Sequence, residues 1–193
     1  MGFLGCFFLG GFLGVLSTIG PSFVCAESTR RAKRQTAAAY TPGMPETDDL
    51  ELLELAKAEA RIGLAEGGIP IGAALVVDGQ VIGAGHNRRV QLGSPIRHGE
   101  TDALEVAGRQ PASVYRRSTM VTTLSPCDMC TGAILLYEIP RVVIGENRTF
   151  MGGEELLRSR GVEVVVLDDP QCLAMMQAFI AEWPELWNED IGE

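Results

Sequence analysis

The chain has 193 residues, 46% of them hydrophobic, and a formal net charge of −9, enough for one globular domain with a sizeable core plus some extra chain. Four of the 16 basic residues and one of the 25 acids precede Met44, which leaves 12 basic against 24 acidic residues from there on. So acidic a balance argues against a domain that grips phosphate backbones, whose affinity rests on Lys and Arg, and favours a small, uncharged or weakly charged ligand.

Residues 1–26 carry no charged side chain and are rich in Phe, Leu and Gly. Three readings compete for this run, which is long enough to span a bilayer. Val24-Cys25-Ala26 fits the end of a secretory signal, although the basic n-region is missing. Arg30, Arg31, Lys33 and Arg34 fit the inner flank of an anchor that would leave the domain cytoplasmic. Alternatively the leader is not part of the working protein, and Met44 is the natural start. Residues 27–43 have no apolar period and read as a disordered connector. The division is thus a leader and connector over 1–43 and a folded domain over 44–193.

Pro45-Glu46-Thr47-Asp48 reads as a helix cap. Apolar residues at Leu52, Leu55, Ala56, Ala60 and Leu64 then mark one face of a helix over 50–65, which Gly67-Gly68 stops. Ile69 to Val77 reads as a strand, Asp78-Gly79 as a hairpin turn and Gln80 to Gly85 as the returning strand. A loop is expected from Asn87 to Arg97, and a helix from Gly99 to about Gly108. Strands follow at 119–124, 141–145 and 162–167, with helices at 128–137 and 154–159 between them. Asp168-Asp169-Pro170 caps a last helix that ends near Trp183-Pro184. Strands alternating with helices imply mostly parallel pairing. The fold class is therefore α/β: a three-layer α/β/α sandwich on a mixed sheet of about five strands.

Two short stretches carry the chemistry: His98-Gly99-Glu100 and Pro126-Cys127-Asp128-Met129-Cys130. They match the H-x-E…P-C-x-x-C signature of zinc base deaminases. One imidazole and two thiols can hold Zn2+ by three bonds and leave its fourth position to water, which separates a catalytic zinc from a closed structural one. Cys127 and Cys130 are three apart and share a helix face, near an N-terminus that stabilises thiolate. Cys6, Cys25 and Cys172 bring the cysteines to five, an odd and scattered set that makes no disulfide framework and suits a reducing compartment. Cys172 reads as simply buried, and His86 as structural rather than a ligand.

His86-Asn87, the two motifs, Thr122 to Ala133, Ile139-Pro140-Arg141 and the closing Trp187…Asp190-Ile191-Gly192-Glu193 together resemble the fungal-type cytosine deaminases of the cytidine-deaminase-like superfamily. The resemblance runs from about residue 50 to the C-terminus. It departs at the leader and at Thr101-Asp102-Ala103, which should lie behind the catalytic carboxylate. It implies that His98, Cys127 and Cys130 hold zinc and that Glu100 shuttles protons. It also implies that Asn87 and the Gly99 N–H bind the ring oxygen and nitrogens, while Asp190 and the Ser125 carbonyl hold the leaving amine. Phe150 and Trp187 would sandwich the base, with Ile71 against its face. The implied reaction is hydrolysis of cytosine, and of 5-substituted cytosines, to the uracil and ammonia, a step of pyrimidine salvage. A cytoplasmic homodimer that binds no nucleic acid is implied too, with membrane contact only if the leader is real. Two alternatives stay open: a tRNA adenosine deaminase or other small-base or nucleoside deaminase, and a non-enzymatic zinc module.

Overall fold

A computed structural model describes residues 49–193, so the three readings of the leader, the connector and the cap at 45–48 lie outside the described residues. The chain forms α1 (Asp49–Ala65), β1 (Gly72–Val77), β2 (Gln80–His86), α2 (Arg89–Leu92), α3 (Gly99–Ala107), α4 (Ala112–Tyr115), β3 (Ser118–Leu124), α5 (Asp128–Leu136), β4 (Arg141–Glu146), α6 (Glu154–Ser159), β5 (Glu163–Val166), α7 (Pro170–Glu182) and α8 (Pro184–Ile191). The sheet order is β2-β1-β3-β4-β5. β1 pairs antiparallel with both β2 and β3, whereas β3, β4 and β5 run parallel. Asp78 and Gly79 both take positive φ (50° and 76°), as the expected two-residue hairpin requires.

Alternation along the strands divides the core between two faces. On one face Ala73, Leu75, Met120, Val142 and Ile144 pack with Ala103 of α3, Ile134 of α5 and Leu157 of α6. On the other, Ala74, Val76, Val121 and Val143 pack with Leu52, Leu53 and Ala56 of α1 and Cys172 of α7. Helices therefore cover both faces, and the three-layer sandwich on a mixed five-stranded sheet is what forms. Cys172 is buried in this second cluster, its thiol pushed up by burial and by Asp169.

Several boundaries differ from the sequence expectation. β1 begins at Gly72 rather than Ile69, because Pro70 has no N–H for a ladder and Ile71 donates locally to Ile69. The expected loop at 87–97 contains the single turn α2, and α4 is another turn that no long apolar period announces. The helix capped by Asp169 is not the last: Pro184, read as a stop, occupies the first turn of α8 instead. Asp169 does cap α7, accepting from Gln171 N and Cys172 N at 2.9 and 2.8 Å. His86 is structural, held between Glu59 and Glu66 of the α1 region at 2.9 and 3.1 Å. Among the described residues no helix is long and apolar enough to cross a membrane.

Candidate active site

The antiparallel placement of β1 gathers the site at one edge. β2, β3 and β4 end there and β1 begins there, as the pairs Gly72–His86, Ala73–Thr122 and Leu124–Glu146 record. That edge delivers Ile71, Asn87, Ser125 and the β4–α6 loop bearing Phe150. α3 and α5 also start there, with His98 and Cys127 as their N-caps. Ligands in open α/β sheets bind at such an edge.

One nitrogen of His98 and the sulfurs of Cys127 and Cys130 lie within 4.8 Å of one another, the one group with metal-ligand geometry among the described residues. His98 Nδ1 is 3.4 Å from Cys127 Sγ, and neither cysteine is in a disulfide. Cys172 is not among the three, so a fourth protein ligand for a closed structural site is missing from the cluster. Glu100 is buried beside them, with Thr122 Oγ1 donating to its Oε1 at 3.1 Å.

The electrostatics of this set call for a cation. The hydrogen bond from Cys130 draws the Cys127 thiol down to about 4, against its burial, with His98 helping. Cys130 is driven well up by that same bond, by burial and by the neighbouring Glu100. Two thiols in one dry site split this way, whereas a divalent cation lets both ionise. Burial and the Cys127 thiolate raise the Glu100 pKa. Burial opposes protonation of His98, but Cys127, Asp190 and Glu100 outweigh it and hold its pKa up. One imidazole ringed by four acidic groups, two of them soft sulfurs, is a donor set that fits zinc.

Above the cluster lies a small pocket, walled by Ile71, Leu124, Ser125, Phe150, Trp187, Asp190 and Ile191 with His98, Glu100 and Cys127 at its floor. Phe150 and Trp187 meet edge to face, ring centres 5.9 Å apart, so they form two adjoining walls and not the expected sandwich around a base. Of the site residues expected from the sequence, all line this pocket except Asn87, Gly99 and Cys130. Asn87 is fully buried, and its Nδ2 donates to Asp190 Oδ1 at 2.8 Å, which leaves one amide hydrogen for a ligand. Ser125 turns its hydroxyl away, donating to Glu154 at 2.9 Å and accepting from Gly152 N at 3.0 Å. Gly99 packs on the backbone at 71–73, where a Cβ would lie 3.2 Å from Ile71 O. Leu124 and Ile191 went unread; they are ordinary aliphatics whose place next to Ser125 and Asp190 was the available signal.

Residues 46–146 match the cytidine and deoxycytidylate deaminase zinc-binding region. The chain belongs to this family. Among the deaminases it resembles, the cytosine deaminase of Candida albicans is 54% identical over 147 residues, 76% of this chain and 98% of that protein. The tRNA-specific adenosine deaminase of Bacillus subtilis is 31% identical over 145 residues, 70% of this chain and 89% of that one. A solved structure from a study of A-to-I editing by tRNA:A34 deaminases superposes with a TM-score of 0.52 at 29% identity, covering 61% of this chain and 97% of that one. A guanine deaminase from Nitrosomonas europaea gives 0.58 at 22% identity, over 76% and 98% respectively, a likeness of fold alone. The zinc-binding region of this deaminase family includes the three converging ligands, so zinc is the cofactor that the donor set and the family agree on.

Proposed function

We propose that the chain is a zinc-dependent cytosine deaminase that hydrolyses cytosine to uracil and ammonia. The observation that carries this is the 54% identity to a cytosine deaminase across 98% of that protein's length. The pocket agrees in chemistry: the apolar walls of Ile71, Phe150 and Trp187 beside the polar groups of Glu100 and Asp190 suit a flat heterocycle.

His98, Cys127 and Cys130 would hold the zinc, which as a Lewis acid brings the pKa of a water at its open position towards neutrality. The remaining work falls to the chain. Glu100 takes a proton from the attacking water and gives it to N3 of the ring, then carries the proton of the hydroxyl added at C4 to the amine, so that the C4–N bond breaks, ammonia leaves and the C4 carbonyl forms. Burial lifts its pKa towards the range where a carboxyl both accepts and donates, and Thr122 fixes its Oε1. Asp190 and the Ser125 carbonyl accept from the amine, while the spare Asn87 hydrogen and the Gly99 N–H donate to the ring oxygen. Acceptors at one end and donors at the other match cytosine and mismatch its product at C4. Phe150, Trp187 and Ile71 exclude water from the ring faces.

A panel of cytosine, 5-methylcytosine, cytidine, adenine and guanine, read by ammonia release, tests this. Cytosine should turn over fastest, lose turnover on chelation and regain it with zinc. Faster release from adenine, or a salt-sensitive gel shift with tRNA, would overturn it in favour of the tRNA reading, against which the acidic balance counts. The same proposal includes a catalytic domain over 44–193, so protein begun at Met44 should match the full chain. It also includes a homodimer, checked by light scattering and supported by Val106 of α3 and Leu136 and Tyr137 at the C-terminal end of α5, apolar side chains left exposed on one face of the sheet. The three thiols of the described residues, none of them in a disulfide, support a reducing, cytoplasmic setting, with uracil returned to the pyrimidine pool.

A further inference from the structure

Asp190 reaches the pocket from α8, about a hundred residues away from the strand edge it completes, and the side chains of Asn87 and Arg89 tie it there. Arg89 Nη1 lies 3.2 Å from Asp190 Oδ1, and Nη2 lies 3.5 Å from Glu189 Oε1. The backbone N–H of Arg89 donates to Asn87 Oδ1 at 3.0 Å, and Asn87 Nδ2 donates to Asp190 Oδ1 at 2.8 Å. Arg89, Asn87 and Asp190 therefore close a ring of hydrogen bonds. The side chains of Arg89 and Asp190 are only 15% and 3% exposed, so water and salt screen the pair little. His98 Nε2 also approaches Asp190 Oδ1, at 3.6 Å. Two hydrogen-bond donors, Asn87 and Arg89, thus converge on Oδ1, which leaves Oδ2 for a ligand.

We propose that Arg89 is a positioning residue that latches α8 over the pocket and aims Asp190 Oδ2 at the amine of the base. This rests on the reading that Asp190 receives that amine. Arg89 itself touches no reacting atom. Its guanidinium fixes one carboxylate, and its N–H fixes the Asn87 side chain opposite, so a single turn of helix aligns both ends of the recognition surface. Its Nε is buried without a protein acceptor, so the carboxylates carry nearly all of its satisfaction and its position depends on theirs.

The test uses the full-length zinc protein and four variants. Arg89→Met keeps the length and removes the charge. Losing a hydrogen bond to a charged group should raise KM for cytosine about 30-fold, with kcat changed less than about threefold and zinc content unchanged. Arg89→Lys should recover part of that loss, since it restores the charge but not the fork. Asp190→Asn should impair turnover by itself, and adding Arg89→Met to it should cost less than about threefold more, because the latch then has nothing to aim. An unchanged KM in Arg89→Met, or effects that multiply in the double variant, would overturn the latch while leaving the deaminase reading intact. Full activity in Asp190→Asn would overturn both the latch and the role of Asp190. If Arg89→Met does not fold, Arg89→Lys carries the same test through its KM and its pairing with Asp190→Asn.

Discussion

Gly83 lies outside the pocket, yet its replacement by alanine should damage catalysis. It sits on β2 facing α3, and a Cβ there would lie 2.6 Å from Ala107 N and 2.8 Å from Ala107 Cβ, and closer still to the Ala103 carbonyl. Ordinary carbon contacts need about 3.5–4.0 Å, so helix and strand must part by about 1 Å. Backbone atoms cannot rotate out of the way as a side-chain tip would. Either α3 moves, carrying His98 and Glu100 at its start, or the edge strand β2 moves, carrying Asn87 just past its end. Both partners hold site residues, so no relaxation spares the site. Overpacking of this kind costs about 1–3 kcal/mol, which in a domain of this size lowers Tm by about 3–9 °C. A 1 Å misplacement of reacting groups should lower kcat/KM about 100-fold. Ammonia release from cytosine, calorimetry and zinc content are read together, the last to separate lost metal from lost alignment. A Gly83→Ala protein with Tm within a degree of the parent and kcat/KM within twofold would refute the claim that this contact sets the site.

Glu100→Ala should keep its zinc but lose turnover by a factor of about 100 or more, the usual contribution of a positioned proton carrier; metal analysis beside ammonia release checks it. Removing zinc with a chelator should abolish turnover and also lower Tm, because His98 and the two cysteines lie on separate helices that the metal would join; an unchanged melting curve would count against that bridging. Asp169 offers a pH test. Burial disfavours its charge, but hydrogen bonds from Cys172 N–H and from Lys57, 3.2 Å away, outweigh it, so its folded pKa lies below the ordinary value of 3.8. A depressed carboxyl stabilises the fold above its unfolded pKa, and that contribution disappears as pH falls through the folded value. Asp169→Asn keeps the helix cap and loses the charge, so its stability should fall less than the parent's between pH 4 and pH 2 (about the unfolded value and below it) in acid denaturation. Asp169→Ala should cost about 1 kcal/mol at neutral pH through the lost cap, read from urea midpoints.

What could be read in advance was whatever local chemistry fixes. His98-Gly99-Glu100 and the prolyl Cys127…Cys130 pair announce their site because metal ligation demands given residue types at given spacings. The hairpin announces itself because Asp78-Gly79 supplies two positive φ angles in two residues. Parallel pairing of β3, β4 and β5 followed from the helices between them. The misreadings have two causes. α2 and α4 are single turns, too short for an apolar period to develop. α8 was hidden because Pro184 acts equally as a terminator of α7 and an opener of the next helix, and only packing decides. That packing is Trp187 and Ile191 against Ile69, Ile71 and Leu124, a cluster assembled from both ends of the domain.

The same contrast explains how the site is divided. The metal ligands and Glu100 come from residues 98–130, where the family match also lies, and two helix starts place them. The cover over the base comes from the far C-terminus, and no covalent proximity holds it there. Its attachment depends on contacts that sequence spacing does not encode: the apolar packing of Trp187 and the Arg89–Asp190 pair. A zinc core shared across many base deaminases fixes the reaction. If Asp190 and Trp187 receive the base as proposed, its identity would depend on how α8 sits, and changes of substrate should come more readily from α8 and α2 than from the metal motifs. Substitution at Trp187 should accordingly alter the ratio of cytosine to cytidine turnover while leaving zinc content untouched, and a variant that loses zinc instead would show that cover and core are not separable.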